Sequence, residues 1–590
     1  MVRRVLPTSY RHLLLTYLVP HWPRVVALAI LLGSLIGLDL VQPQIIRYVI
    51  DTAQAGGALG TLVLAAILYL GVALLAQAVG VAEQYTAENL GWLATNALRA
   101  DLTQHCLELD LSFHNARTPG ELIERLDGDI AVLANFFSRF VLQVIGNGLL
   151  LLGILLLLFQ EDWRIGLVML AFSVAALLVM NAFRDPGARY AQASRQASAD
   201  LFGFLEERLG GLPDIQTSGA QGYVLHRIAP YLRATIHWGR TSFLMGGLLG
   251  GATSLVFTAA SAAALALGAY FFRSGAMSVG TVYLLFQYTT MVREPLGEVT
   301  RQVRDFQRAA AGVARVQQLY ATAPTIVDGP GAALPPGALS VEFRDVSFAY
   351  PVAGAGGAVP DPVLQGVSFR LEPGRVLGLL GRTGSGKTTL ARLLCRLYDP
   401  GSGAVLLGGA DLRQLRLDDL GRRIGLVTQE VQLFAATVRD NLTLFDPSIA
   451  DERIVAALDG LGLSAWYHAL PAGLDTELPP GGGGLSAGEA QLLAFARVFL
   501  RDPDVVVLDE ASSRLDPATE ALIERAVNRL LAGRTAIVIT HRLGTVARVD
   551  EIMILDGGHI VEAGTRTALA LDPTSRFAAL LRGSAQEVLA

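Results

Sequence analysis

GRTGSGKTTL, residues 381–390, holds the one lysine of the 590-residue chain, Lys387. It follows the apolar run RVLGLLG (375–381) and matches G-x-x-x-x-G-K-[ST], a strand, a glycine-rich turn and a helix start. Glycines let the backbone N–H groups of such a loop curl around an anion, and the helix N-terminus adds a favourable dipole. Lysine supplies a compact charge on a slim stem, whereas arginine, which fills the other basic positions, spreads its charge over a broad fork. The reading is a nucleoside triphosphate site: Gly381, Arg382, Thr383, Gly384, Ser385, Gly386 and Thr389 form the cradle, Lys387 reaches the β- and γ-phosphates, and Thr388 offers its hydroxyl to Mg²⁺.

A second stretch supports the first. DVVVLDE (504–510) ends a buried-strand pattern in two carboxylates, at the sheet edge where ligands of α/β folds bind. Asp509 is expected near Mg²⁺, and Glu510 to orient or deprotonate the attacking water. Paired carboxylates capping a helix are the competing structural reading.

The chain before this region has a different character. Composition is 52% hydrophobic and 17% charged, with mean hydropathy +0.44, more apolar than a soluble protein. Runs at about 25–50, 59–83, 131–159, 164–183, 245–272 and 279–300 are each long enough for a bilayer of roughly 30 Å hydrocarbon. Six spans put both ends on one side, and the long, arginine-bearing connections after the second and fourth mark that side as cytoplasmic. Those connections sustain helical spacing and read as extensions of the spans, with turn-rich tips near 112–126 and 213–227. The first 22 residues read as an amphipathic helix at the bilayer surface.

Residues 323–340, rich in Pro, Gly and Ala, form a linker. The expected organisation is therefore a transmembrane domain (1–322), the linker (323–340) and a nucleotide-binding domain (341–590). The fold class is multi-domain: an all-α six-helix membrane domain plus an α/β P-loop domain. A net charge of −5 argues against nucleic acid as a partner. Cys106 and Cys395 fit no metal or disulfide pattern.

Several further motifs, in order, make the chain resemble the ATP-binding cassette (ABC) family, exporter type, with membrane and ATPase domains fused in a half-transporter. The resemblance implies that Tyr350 in VSFAYP stacks on adenine, and that Gln429 in LVTQEVQLF contacts Mg²⁺ or water and senses the membrane domain. LSAGEAQ (485–491) takes the place of the family signature LSGGQ, so Leu485, Ser486, Ala487, Gly488 and Glu489 would face ATP on a partner. Asp516 resembles the D-loop aspartate, and His541 the switch histidine beside the γ-phosphate. SFHNARTPGELIERLDGD resembles the first coupling helix, with Thr118, Gly120 and Glu121 docking near Gln429.

One cassette per chain implies a dimer. The signature departs from consensus at Ala487, Glu489 and Ala490, and the glutamate and arginine of the usual X-loop are missing from Leu478-Pro479-Pro480-Gly481-Gly482. A Cβ and a carboxylate beside a partner's γ-phosphate would weaken one site, which favours a heterodimer with a second half-transporter over a homodimer. The resemblance implies an ATP- and Mg²⁺-dependent exporter of hydrophobic or amphipathic cargo, in a bacterial inner membrane with the cassette in the cytoplasm. A lipid or lipopeptide flippase and a regulatory half with weak ATPase activity are the alternatives. Asp39, midway along the first span, is the substrate-site candidate; Gln143, Asn147, Thr258, Gln287, Tyr288 and Arg293 add polarity that interhelical hydrogen bonds would also explain.

Overall fold

The computed structural model describes residues 15–135, 141–351, 361–509, 517–540 and 546–588. It divides into two compact units, one of Met1–Leu107 with Gly120–Thr322, the other of Glu108–Pro119 with Ala323–Ala590.

The first unit is helical. Five of its described helices are long and apolar enough to cross a membrane, within Leu15–Gln54, Leu59–Glu108, Gln143–Glu161, Trp163–Gly210 and Gln221–Arg273. The helices Leu59–Glu108, Trp163–Gly210 and Gln221–Arg273 run without interruption for 50, 48 and 53 residues, so the polar connections do continue the spans. The sixth run differs from expectation. Its apolar part is the 13-residue helix Val279–Met291, and a separate helix, Arg293–Ala321, follows. Arg293 and Glu294 explain why: they end the apolar run well before residue 300. The third run is described from Val141 to Glu161 and, before it, as a helix Asp129–Asn135.

Lipid is as apolar as leucine, so helix association in a membrane depends on packing and polar ties rather than on hydrophobic drive. Both are present. Ile154, Leu158, Ile165, Ala260, Ala264, Leu284 and Leu285 form a buried cluster. Tyr288, fully buried, donates to the Leu40 carbonyl at 2.8 Å and accepts from Gln44 at 3.1 Å. Asp51 accepts from Ser278 Oγ and from the Gly280 N–H, capping the helix that starts there, and Arg47 pairs with Glu161. First, third and sixth runs are thereby joined.

The second unit is α/β. Its strands are β1 (Val341–Phe348), β2 (Leu364–Leu371), β3 (Val376–Gly381), β4 (Ser402–Leu407), β5 (Ala410–Asp411), β6 (Ile424–Val427), β7 (Ala436–Thr437), β8 (Glu477–Leu478), β9 (Val505–Asp509), β10 (Thr535–Ile539), β11 (Glu551–Asp556) and β12 (His559–Thr565). One sheet, ordered β2-β1-β4-β5, is antiparallel; the main sheet runs β12-β11-β3-β10-β9-β6, parallel from β11 to β6. In β3, β9 and β10 nearly every residue is buried, as expected of parallel strands covered on both faces. The short helix Leu111–Asn115 belongs with this unit: Leu111 packs against its core, and Asn115 donates to the Tyr398 hydroxyl at 2.9 Å.

Candidate functional site: a phosphate cradle at the sheet edge

β3 ends at Gly381, and the helix Lys387–Leu394 begins after five intervening residues. The turn between them depends on glycine. Gly386 caps the helix at φ +104°, and a Cβ there would lie 2.6 Å from Leu364 Cδ2, so neither the conformation nor the space admits a side chain. Lys387 is 6% exposed, and its ammonium donates to the carbonyls of Gly381 and Arg382 at 2.7 and 2.9 Å. The ammonium thereby helps to close the turn. Ser385 Oγ is buried and has no hydrogen-bond partner, a cost that native proteins keep only where something else pairs with the group. Gly384, Thr383 and Arg382 are exposed above the loop, and so is Thr388 at the helix start. Exposed loop residues, an orphaned hydroxyl and a buried ammonium together fit a polyphosphate.

Asp509 ends β9. Ile539 of β10 pairs with Leu379 on one side and Asp509 on the other, so the loop and the carboxylate share one sheet edge about 10 Å apart, two strand spacings. Thr388, Asp509 and Gln429 are an all-oxygen donor set of the kind Mg²⁺ prefers; Gln429 is exposed in the segment after β6. Glu510, Asp516 and His541 lie outside the described residues.

Tyr350 is held on three sides. Its ring meets Phe348 and Tyr398 edge-on at 5.0 and 5.3 Å, its hydroxyl shares a 2.9 Å hydrogen bond with Thr389, and Arg392 donates to it at 3.1 Å. Tyr398 is also the partner of Asn115. A contact chain thus runs from the helix Leu111–Asn115 through two tyrosines to the helix that starts with Lys387. Thr118 lies in the turn after this segment; Gly120 and Glu121 belong to the helix Pro119–Ile123, where Glu121 pairs with Arg125. Asn115 and Leu111 contact the cassette at Tyr398 and the core.

The signature stretch opens the helix Ala487–Arg501. Ser486 is its N-cap, accepting from the Glu489 N–H at 3.2 Å, while the Glu489 carboxylate accepts from the Ser486 N–H at 2.7 Å. This is a capping box, and S-x-x-E is its sequence mark. The carboxylate that departs from the consensus is folded back on its own helix. Ser486 and Ala487 are exposed, Leu485 is half-buried and Gly488 buried.

Two residues that the sequence reading passed over tie this helix to the segment after Gln429. Arg497 donates to the carbonyls of Asn441 and Gln432 at 2.6 and 2.8 Å and to Asn441 Oδ1 at 3.1 Å. Burial pushes its pKa down. Asn441, fully buried, accepts from the Phe434 N–H and donates to the carbonyls of Phe434 and Thr437.

A P-loop α/β unit continuous with membrane-length apolar helices defines a membrane-embedded nucleotide hydrolase of the transport type. The chain belongs to the ABC transporter family: residues 25–296 match the ABC transporter transmembrane region and residues 364–513 the ABC transporter ATPase family. It is similar to a fatty acid ABC transporter ATP-binding/permease protein of Mycobacterium bovis, 31% identical over 86% of this chain and 79% of the relative. It is also similar to an ATP-dependent lipid A-core flippase of Idiomarina loihiensis, 27% identical over 95% of both chains. The fold matches a bacterial Atm1-family ABC exporter solved with ATP bound, at TM-score 0.77 and 24% identity, over 95% of this chain and 98% of that one. The protein is an ABC exporter with fused membrane and ATPase domains, an ATP hydrolase coupled to transport.

Proposed function

We propose that the chain is one half of a dimeric exporter that moves an amphipathic, lipid-like molecule across the bacterial inner membrane, with its cassette in the cytoplasm. The supporting observation is the phosphate cradle: Ser385 Oγ orphaned, Lys387 buried and Thr388 exposed, in a chain that also carries the apolar helices. Relatives named for a fatty acid and for lipid A support lipid-like cargo.

In this reading Lys387 and the loop N–H groups hold the phosphates, and Tyr350 flanks the adenine. Thr388, Gln429 and Asp509 would hold Mg²⁺, which would supply charge neutralisation on the phosphate oxygens. Glu510 takes the proton of the attacking water, and His541 stabilises the γ-phosphate. Asp516 lies at the dimer seam, where Leu485, Ser486, Ala487, Gly488 and Glu489 face the partner's nucleotide. ATP drives the cycle only through its preference for the closed cassette pair. The helix Leu111–Asn115 and the neighbouring Thr118, Gly120 and Glu121 carry that closure to the spans, with Asp39 in the cargo path.

A heterodimer with a second half-transporter is favoured over a homodimer. The capping role of Glu489 reduces the charge argument for it, and the Cβ of Ala487, exposed on the helix start, remains. Glu510→Gln is the test of the hydrolytic assignment: turnover is expected to fall at least about 100-fold, the scale of a lost general base, with ATP retained on the purified complex. Turnover at the wild-type rate would remove Glu510 from the mechanism, and the subunit masses of that complex decide between the two dimers.

A further inference from the structure

Three ionisable side chains of the membrane unit, Asp39, Arg293 and Glu294, make no hydrogen bond or ion pair among the described residues. Charged groups inside a membrane domain are costly and are kept for function. Arg293 and Glu294 follow a 13-residue apolar helix and lie about 20 Å from its start at Val279, less than the roughly 30 Å of a hydrocarbon layer. As sequence neighbours on one helix they diverge and do not neutralise each other. Both line a cavity of about 420 Å³ whose other walls include Met180, Thr253, Phe257 and Thr290, within the size range of small-ligand sites. Asp39, on the first helix, is near enough to Glu294 for the two carboxylates to interact.

We infer that this cavity receives the headgroup of a zwitterionic phospholipid, its phosphate on Arg293 and its ammonium on Glu294 with Asp39 beyond. A singly charged guest leaves a mismatch: an anionic chain would satisfy Arg293 and face two carboxylates, and a cationic amphiphile would do the reverse. A guest with both charges pairs each of the two charges that line the cavity, Arg293 and Glu294. Met180 and Phe257 supply the apolar wall against which the start of an acyl chain lies. The hydroxyls of Thr253 and Thr290 donate to the carbonyls of Leu249 and Gln287, which leaves their oxygens to accept from the ammonium. The inference rests on the exporter reading and names its cargo class.

The experiment uses the full complex in nanodiscs of phosphatidylethanolamine, of its N-acetylated form, or of phosphatidylglycerol, and reads lipid-dependent ATPase together with lipid retained in native mass spectrometry. The ethanolamine lipid is expected to stimulate and be retained at least about tenfold better than either of the others, the factor that one charge-assisted hydrogen bond supplies. Glu294→Gln is expected to abolish discrimination against the N-acetylated lipid, and Arg293→Gln to release phosphate-bearing lipids generally. Equal response to the three lipids overturns the proposal, as does either variant keeping the wild-type ratio in both readouts, or soluble glycerophosphoethanolamine replacing the lipid. Absence of ATPase activity in every lipid, with ethanolamine lipid still retained selectively, would instead count against the transport reading and leave the site standing.

Discussion

The side-chain amide of Asn115 donates to the hydroxyl of Tyr398 at 2.9 Å, and Tyr398 meets the ring of Tyr350, whose hydroxyl is hydrogen-bonded to Thr389. A segment that continues a membrane helix is therefore three contacts away from the helix bearing Lys387. Asn115→Ala removes the first contact without touching the cradle. Its ATPase activity should survive while stimulation by cargo falls severalfold, consistent with a coupling free energy of about 1–3 kcal/mol. Tyr398→Phe should reproduce the effect; unaltered cargo stimulation in both variants would show that the contact is structural only.

Ser486 and Glu489 satisfy each other's backbone N–H groups. Glu489→Gln preserves both bonds and should leave activity near wild type. Glu489→Ala removes one bond, costs about 1 kcal/mol of local helix stability, and should raise the ATP concentration needed for dimer closure. Equal behaviour of the two variants in an ATP-titrated closure assay would contradict a capping role.

Arg497 donates only to neutral oxygens among the described contacts. Arg497→Met leaves the Gln432 carbonyl and both oxygens of Asn441 short of a donor. Destabilisation of about 2–4 kcal/mol is expected, read as a lowered midpoint in calorimetry, with partial recovery in Arg497→Lys. A variant melting at the wild-type temperature would refute the bracing role.

Cys395 is partly exposed, but its thiol turns into the core of the cassette, and burial pushes its pKa up to about 12. The folded pKa exceeds the unfolded value of about 8.5. The stabilising contribution is therefore complete below about pH 8.5 and is lost as pH rises toward 12. Alkylation of Cys395 at pH 8 should be slow in the native protein and fast in denaturant; equal rates would contradict the buried thiol.

The cradle was legible because its chemistry needs glycine, lysine and threonine at fixed spacing along one turn, and GRTGSGKTTL contains all of them contiguously. The continuous helices were legible from unbroken apolar periodicity. The helix junction at Val292 was less so, since hydrophobicity averaged over a window blurs the step at Arg293 and Glu294. The capping box at Ser486 and Glu489 was readable as S-x-x-E, but comparison with the consensus signature drew attention to charge instead of local hydrogen bonding. Arg497 carries no local mark. It meets Gln432 and Asn441 across 65 and 56 residues, and among 47 basic residues in the chain only the folded geometry distinguishes it.

In the proposed cycle, nucleotide held by Lys387 does work on the apolar helices. Translocation of a fluorescent amphipathic lipid in proteoliposomes, with ATP supplied on the cassette side, tests it most directly. Movement that requires ATP in the wild-type complex and disappears in Lys387→Ala, with assembly intact, is the predicted result. Movement of the same rate in Lys387→Ala, or ATP consumption by the wild type without any movement of lipid, would contradict it.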